Sequence, residues 1–215
     1  MHTNSISFGQ KIPISHYKVQ NNSTKEFADA TLYELDCKDE EDIEYLEQDK
    51  SDIYFKSQIL KNMQKKNDYV SDSKKNTAED TKRKSMYDNT HFYVSELCDG
   101  NIIGVCETYD GKDYTDIEFI SGRKTPEYKY VGQTMLASLG KTVLNSACSQ
   151  KLTVATPLPH VLPYYTDVCG FKPTLEGSFN RLSLEMDKND IPEFINNVNT
   201  KTGSSVNNNE IDAVI

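Results

Sequence analysis

The sequence predicts an α/β (α+β) fold built on one mixed, mostly antiparallel central sheet with helices on both faces. Three observations carry that prediction. Asp99-Gly100 and Asp110-Gly111 interrupt apolar, β-prone runs in the way that two-residue hairpin turns do. Val131 to Ser149 sets Val131, Met135, Leu136, Leu139, Val143 and Ala147 on one helical stripe. Leu152 to Thr156 (LTVAT) is short and apolar and is stopped by Pro157 and Pro159, which suits a buried strand reached by a crossover helix.

In chain order, residues 1–29 read as a polar, irregular N-terminal extension whose apolar patch Ile12-Pro13-Ile14 lies along a sheet edge. Ala30 to Asp36 (ATLYELD) is a strand. Asp36 to Asp52 holds nine acids against Lys38 and Lys50. Within it Ile43, Leu46 and Tyr45 recur at helical spacing behind Asp39, an N-cap with acids in the first turn. A second helix fits Asp52 to Lys66, with Ile53, Ile59, Leu60 and Met63 on one face. Residues 71–89 have almost no apolar residue and no period, and read as a mobile loop. His91 to Cys98, Asn101 to Tyr109 and Asp113 to Ser121 form an antiparallel meander. After the LTVAT strand come a short helix over His160 to Val168 with Gly170 at its C′ position, a strand from Phe179 to Met186 and a helix from Asp190 to Val198. The assignment is thus an extension 1–29, a single domain 30–198 containing the loop 71–89, and a disordered tail 199–215.

Composition narrows the function. The chain has 215 residues and a net charge of −9, which suits one domain and argues against wrapping a phosphate backbone, so no nucleic-acid partner is expected. No basic segment followed by an apolar stretch opens the chain and no 18 apolar residues run together, so the expectation is a soluble, cytoplasmic protein without a membrane span. Five cysteines, an odd number without CxxC spacing, read as reduced thiols. The four histidines lie far from them and from one another, so no metal is expected.

The segment that carries chemistry runs from Ile117 to Leu139: strand, then SGRKTPEYKYVG, then the long helix. A helix that starts just after a strand presents unpaired N–H groups and the positive end of its dipole to an anion, and a pyrophosphate suits that position. Arg123, Lys124 and Lys129 flank it.

Element order and residues together resemble the GCN5-related N-acetyltransferase (GNAT) family from about Ala30 to Met186. Pro126-Glu127-Tyr128-Lys129 followed by Val131-Gly132-Gln133-Thr134-Met135-Leu136 resembles the family's pyrophosphate loop and helix start. Tyr164-Tyr165-Thr166-Asp167-Val168-Cys169-Gly170-Phe171 resembles its aromatic-rich helix closing on Gly-Phe. Three departures stand out. Counting back from Gly132 puts Tyr130 where the family has its first glycine and Glu127 where it has Gln or Arg. The loop from Ile120 to Gly132 is about two residues longer than usual. Thr166 stands where the family often has a tyrosine, with Tyr165 one residue earlier, a rotation of roughly 100° on a helix.

The resemblance implies an acetyl-CoA-dependent N-acetyltransferase, with acetyl-CoA as co-substrate, no metal, and direct attack by an amine. It implies that the pantetheine pairs along Phe119, Ile120 and Ser121 and that Lys129, Tyr130, Val131, Gly132, Gln133 and Thr134 hold the pyrophosphate. It also implies that Tyr165, or else Tyr164, is the acid, and Glu118 the base with Glu107 second. The acidic first helix suits a cationic amine acceptor. A monomer and a homodimer both fit. Two alternatives stand beside this reading: a non-catalytic GNAT-fold module that acts through protein contacts at the basic 74–84 loop or the tail, and an acetyltransferase whose target is a partner protein.

Overall fold

The computed structural model describes residues 11–71, 85–155, 157–176 and 181–204. Nine strands form one sheet in the order β6-β1-β2-β3-β4-β5-β7-β9-β8. They are β1 Ile12–Asn21, β2 Phe27–Leu35, β3 Thr90–Leu97, β4 Ile102–Asp110, β5 Tyr114–Gly122, β6 Tyr128–Lys129, β7 Lys151–Ala155, β8 Lys172–Glu176 and β9 Arg181–Asp187. Every pairing is antiparallel except β5 with β7. The longer helices among the described residues are α1 Glu40–Gln48, α2 Lys56–Ser71, α3 Val131–Asn145 and α4 Ile191–Thr202. Two buried clusters divide the molecule. One joins the sheet to α1 and α2 through Ile43, Leu46, Ile59, Met63, Phe92 and Val105. The other joins the opposite face to α3 and α4 through Cys106, Ile117, Met135, Leu139, Leu184 and Phe194.

Local chemistry explains most boundaries. The Asp39 carboxylate accepts the Glu41 N–H at 2.9 Å and caps α1, whose first turn is acidic as the helix dipole favours. Gly100 takes φ +86° in the β3–β4 turn, a conformation glycine adopts without strain. Gly104 on β4 lets the first turns of α3 approach the sheet, since a Cβ there would stand 2.7 Å from Met135 Sδ and 2.9 Å from Val131 Cγ1.

Several expectations are corrected. Of the expected extension 1–29, residues 1–10 lie outside the described residues, Ile12–Asn21 form β1, a ten-residue strand paired with β2, and β2 itself starts at Phe27. Ile12 to Ile14 do lie at its open edge, because β6 covers β1 only at Gln20 and Asn21. The sheet therefore starts well before residue 30. The second helix starts at Lys56 rather than Asp52, and Ile53 bridges to Arg123 instead. Of the expected loop 71–89, Ser71 ends α2 and residues 85–88 form a helical turn, with the Tyr87 ring 5.1 Å from Tyr69; 72–84 lie outside the described residues. The single helix over His160 to Val168 is a 3-10 turn, Pro159–Val161, followed by a π-helical turn, Tyr164–Val168. β8 was not anticipated, because a strand containing Pro173 at a sheet edge carries a weak signal. The predicted strand starting at Phe179 is β9 from Arg181, Phe179 and Asn180 lying outside the described residues. α4 continues to Thr202, so the tail starts later than 199.

A charged triad ties β2, β3 and β4 together at one end. His91 Nδ1 lies 2.6 Å from Glu34 Oε1 and its Nε2 lies 3.4 Å from Asp110 Oδ2. Hydrogen bonds to Asp110 and to Glu34, the latter the shorter, push the His91 pKa up to about 9. The raised folded-state pKa means that the stabilisation is complete below the unfolded value near 6.5 and is lost as pH rises through about 9. His91→Gln is expected to lower stability by about 1–2 kcal/mol at pH 6, allowing for screening of the half-exposed Asp110. Denaturant melts of both proteins should converge by pH 10, and a pH-independent gap would show that packing rather than charge is lost.

Candidate active site

β5 and β7 pair only from Tyr114 to Asp116 against Lys151 to Thr153. Beyond that point β5 stays with β4 as far as Gly122 while β7 stays with β9 as far as Ala155. The sheet therefore forks, and the β5 main chain past Asp116 has no strand on its β7 side among the described residues. A buried hydrogen bond from Thr153 Oγ1 to Asp116 Oδ1, 2.6 Å, marks the point of divergence. At the same point β5 carries a bulge: Glu107 pairs with Phe119 and Thr108 with Ile117, leaving Glu118 as the extra residue. Phe119, Ile120 and Ser121 lie on the diverging part of β5, where the sequence placed them.

The start of α3 closes the fork on one face. Tyr130, its N-cap, has φ 70° and ψ 0° and gives no side-chain cap, so it adopts the left-handed conformation normally supplied by glycine. The departure at that position is thus one of side chain, not of backbone. The N–H groups of the first helical turn lack intrahelical partners by geometry. Gly132 keeps this end open, since a Cβ there would meet the Tyr164 hydroxyl at 2.7 Å. Gln133 is buried and its Oε1 has no partner. The Thr134 hydroxyl lies 2.9 Å from the carbonyls of both Tyr130 and Val131, and its N–H bonds to Tyr130 at 2.8 Å. Those groups are engaged within the helix, so Thr134 supports the turn rather than offering a ligand group. Of the flanking cations, Arg123 donates to the Ile102 carbonyl and pairs with Glu127, and Lys124 pairs with Asp52 at 2.7 Å. Lys129 is exposed beside Tyr130.

The two tyrosines reach the same face. In the π-helical turn the Cys169 N–H bonds to the Tyr164 carbonyl, five residues back, at 3.1 Å. That turn holds one more residue than an α-helical one. Tyr165 lies in that turn, five residues before Gly170, and its carbonyl accepts the Phe171 N–H at 2.9 Å. Tyr165 is buried, edge-on to Phe171 at 5.6 Å. Burial pushes its pKa upward, as do the nearby Cys106 and Cys169, while burial and Cys169 hold the Tyr164 hydroxyl well above its ordinary value. Both hydroxyls stay protonated at neutral pH and so keep a proton to donate. Thr166 bonds to the Leu162 carbonyl and to Asp167, away from this role.

On the other face, toward α1 and α2, Glu107 and Glu118 meet across the bulge. Glu107 is buried, and desolvation together with Glu118 pushes its pKa up to about 7 despite a hydrogen bond from Asn62. Glu118 reaches solvent, and partial desolvation with Asp116 nearby raises its pKa. Phe119 packs beside them against Phe55, ring centroids 5.1 Å apart. Asn62 and Phe55 were missed in the sequence. Asn62 left one signal, a polar residue set among Ile59, Leu60 and Met63; Phe55 left none.

Three of the five free cysteines, Cys37, Cys106 and Cys169, are buried. Among the described residues no group of three or more His, Cys, Asp or Glu side chains is placed to hold a metal, and no helix is long and apolar enough to cross a membrane.

No family model matches the chain, and no curated protein sequence matches it. Solved structures do. AtaTR bound with acetyl-CoA is 12% identical, with 76% of this chain and 96% of that chain covered and a TM-score of 0.50. Apo FdhC, a nucleotide-linked sugar GNAT, is 13% identical over 83% of this chain and 93% of that one, with a TM-score of 0.48. A KacTA–DNA complex is 13% identical over 54% of this chain and 79% of that one, with a TM-score of 0.42. The expectation of no nucleic-acid partner, drawn from net charge, finds no support in these comparisons. The forked sheet, the helix that opens at its cleft and the likeness to AtaTR agree on one architecture: the chain has the GNAT fold.

Proposed function

We propose that the chain is an acetyl-CoA-dependent N-acetyltransferase acting on an amine. The fork carries this reading: a length of β5 with no strand on its β7 side among the described residues runs toward a helix start without a side-chain cap, held open by Gly132, with protonated tyrosines on one side and a carboxylate pair on the other. The β5 peptide groups at Phe119, Ile120 and Ser121 suit an extended amide chain such as pantetheine, which would add itself as a strand. The first-turn N–H groups of Val131, Gly132 and Gln133 suit the pyrophosphate, with Lys129 and the Tyr130 main chain at its border. Thr134 drops out as a direct contact and keeps a supporting role. Acetyl-CoA, when bound, supplies the activated acyl group.

The chain's own residues then have three tasks. The β5 main chain orients the thioester and offers a donor where negative charge develops. Tyr165, or Tyr164, gives a proton to the departing sulfur, a role that suits hydroxyls held protonated by burial. The carboxylates at the bulge, Glu118 and Glu107, receive the amine. The acids of α1 add a negative border: Glu41, Glu44 and Glu47 are exposed, while Asp39 and Asp42 serve α1 itself and the Asp36 main chain. A cationic amine suits that border. A protein amine remains within the same chemistry. The non-catalytic alternative rests on the 74–84 loop and the tail, which lie outside the described residues apart from its first residues.

Calorimetric titration with acetyl-CoA tests the cofactor site. Saturable binding is expected, weakened at least about tenfold in Gly132→Val, whose side chain would crowd Tyr164 and fill the helix start. No binding by the unaltered protein at millimolar acetyl-CoA would sink the reading. In a CoA-release assay over an amine panel, Tyr165→Phe should lower turnover by about a hundredfold or more with acetyl-CoA affinity unchanged. If Tyr164→Phe has that effect instead, the proton donor is Tyr164.

A further inference from the structure

We propose that Glu107 takes the proton from an incoming protonated amine and that Asn62 of α2 is the residue that positions it. The assignment rests on the acetyltransferase reading above and names the division of work within its carboxylate pair. Glu107 is 6% exposed, in a strand buried from Ile102 to Thr108, where an acid without a task is costly. Asn62 Nδ2 lies 3.1 Å from its Oε1 and 2.9 Å from its Oε2, and Gln58 Nε2 donates to Asn62 Oδ1 at 2.9 Å, one helical turn earlier. Gln58 thereby fixes which end of the Asn62 amide faces the acid. The chain Gln58, Asn62, Glu107 holds the carboxylate in one orientation at the level of the bulge, opposite Phe119 in register.

The neighbours on every side favour a base over an ion-paired structural acid. From β5 comes Glu118, a like charge. From α2 come the uncharged Asn62 and Gln58, while Lys66, a turn further on, donates to the Thr90 carbonyl at 2.7 Å. From β3, Phe92 stands opposite Glu107 and is apolar. No described ion pair involves Glu107. Beside it, the Phe55–Phe119 ring pair adjoins the surface, with Phe55 40% exposed and held at φ 61°. Such a border suits an ammonium on an apolar chain, whose charge a ring face also attracts.

The proton count closes. An ammonium R–NH3+ gives one proton to the Glu107 carboxylate, leaving R–NH2 and a carboxylic acid. The nitrogen lone pair forms the C–N bond at the thioester carbon, the C–S bond breaks as Tyr165, or Tyr164, gives its proton to the leaving sulfur to make a thiol, and a second nitrogen proton restores that phenol. One proton stays on the amide, and Glu107 returns its own to solvent. Glu118 acts through its charge, setting how readily Glu107 holds that proton.

The test is the pH dependence of kcat/KM, read by CoA release with whichever of 2-phenylethylamine, spermidine and lysine methyl ester reacts fastest. The unaltered protein should show an acidic limb near pH 7. Asn62→Ala, which removes a donor to the charged form, should move that limb up; Glu118→Gln, which removes a like charge, should move it down. A merely structural Asn62 would lower the rate without moving the limb. Glu107→Gln should abolish the limb and lower kcat about a hundredfold or more with acetyl-CoA affinity unchanged, and Glu107→Asp should restore part of the rate. Should Glu107→Gln not fold, the opposite shifts in the other two variants still decide. Acetyl-CoA binding with no CoA release on any of the three amines, or a limb that stays put in Asn62→Ala and Glu118→Gln, overturns the assignment and leaves the cofactor reading intact. Absence of acetyl-CoA binding overturns both.

Discussion

The parting of β5 from β7 after Asp116 is the constraint on which the rest of the molecule depends. A sheet that loses a ladder in its middle must satisfy the freed peptide groups by water, by side chains or by a ligand. Pro157 and Pro159 end β7 soon after Thr153, yet Val154 and Ala155 still pair with β9 and not with β5. What separates them is the bulge at Glu118, which raises the local twist of β5, and α3, whose first turns pack against Gly104 and Gly122. The Thr153–Asp116 hydrogen bond then closes the paired half of the fork and keeps the divergence from travelling further.

The two faces of the sheet take different chemistry at this point. On the α3 face the polar groups near the cleft are donors: helix-start N–H groups and phenolic hydroxyls kept protonated by burial. On the α1–α2 face they are acids with raised affinity for protons. An anion is therefore favoured on one side and a proton-bearing group on the other, with the open β5 main chain between them. The bulge itself links the two, because one extra residue on β5 changes which side chains face each layer: Ile117 joins the α3 cluster and Phe119 the α2 cluster.

The elements marked by punctuation and period were legible in the sequence. Both Asp-Gly turns, the amphipathic stripe of α3, the Asp39 cap and the isolated LTVAT strand specify their structure within a few residues. β1 and β8 were not legible, because their patterns depend on neighbours far along the chain: β1 buries only Tyr17 and Val19 of its ten residues, and β8 contains a proline tolerated at an edge. The cofactor-side residues could be named from motif order, yet the engagement of Thr134 within its own helix could not. The π-helical turn was equally hidden, since an extra residue in a turn leaves no periodic trace over five positions. Asn62 and Glu107 lie 45 residues apart, and only the fold brings them together.

Two backbone outliers flank the cleft, one on each side. Tyr130 and Phe55 both hold positive φ without being glycine, a conformation that costs roughly 1–2 kcal/mol for such residues. Lys25 does the same, but in the β1–β2 turn, where left-handed residues are common. At Tyr130 the strain turns the chain from β6 directly into α3, so that the helix start faces the fork instead of running past it. At Phe55 it turns the chain into α2 and lays an aromatic ring on Phe119, beside the Asn62–Glu107 contact. In both places a residue that could relax is held by the packing of the helix that follows, Val131 against Gly104 in one case and Ile59 in the α2 cluster in the other. Strain retained at both entrances to one cleft, and absent from the rest of the described backbone apart from a hairpin turn, locates the part of the molecule where geometry has been favoured over stability.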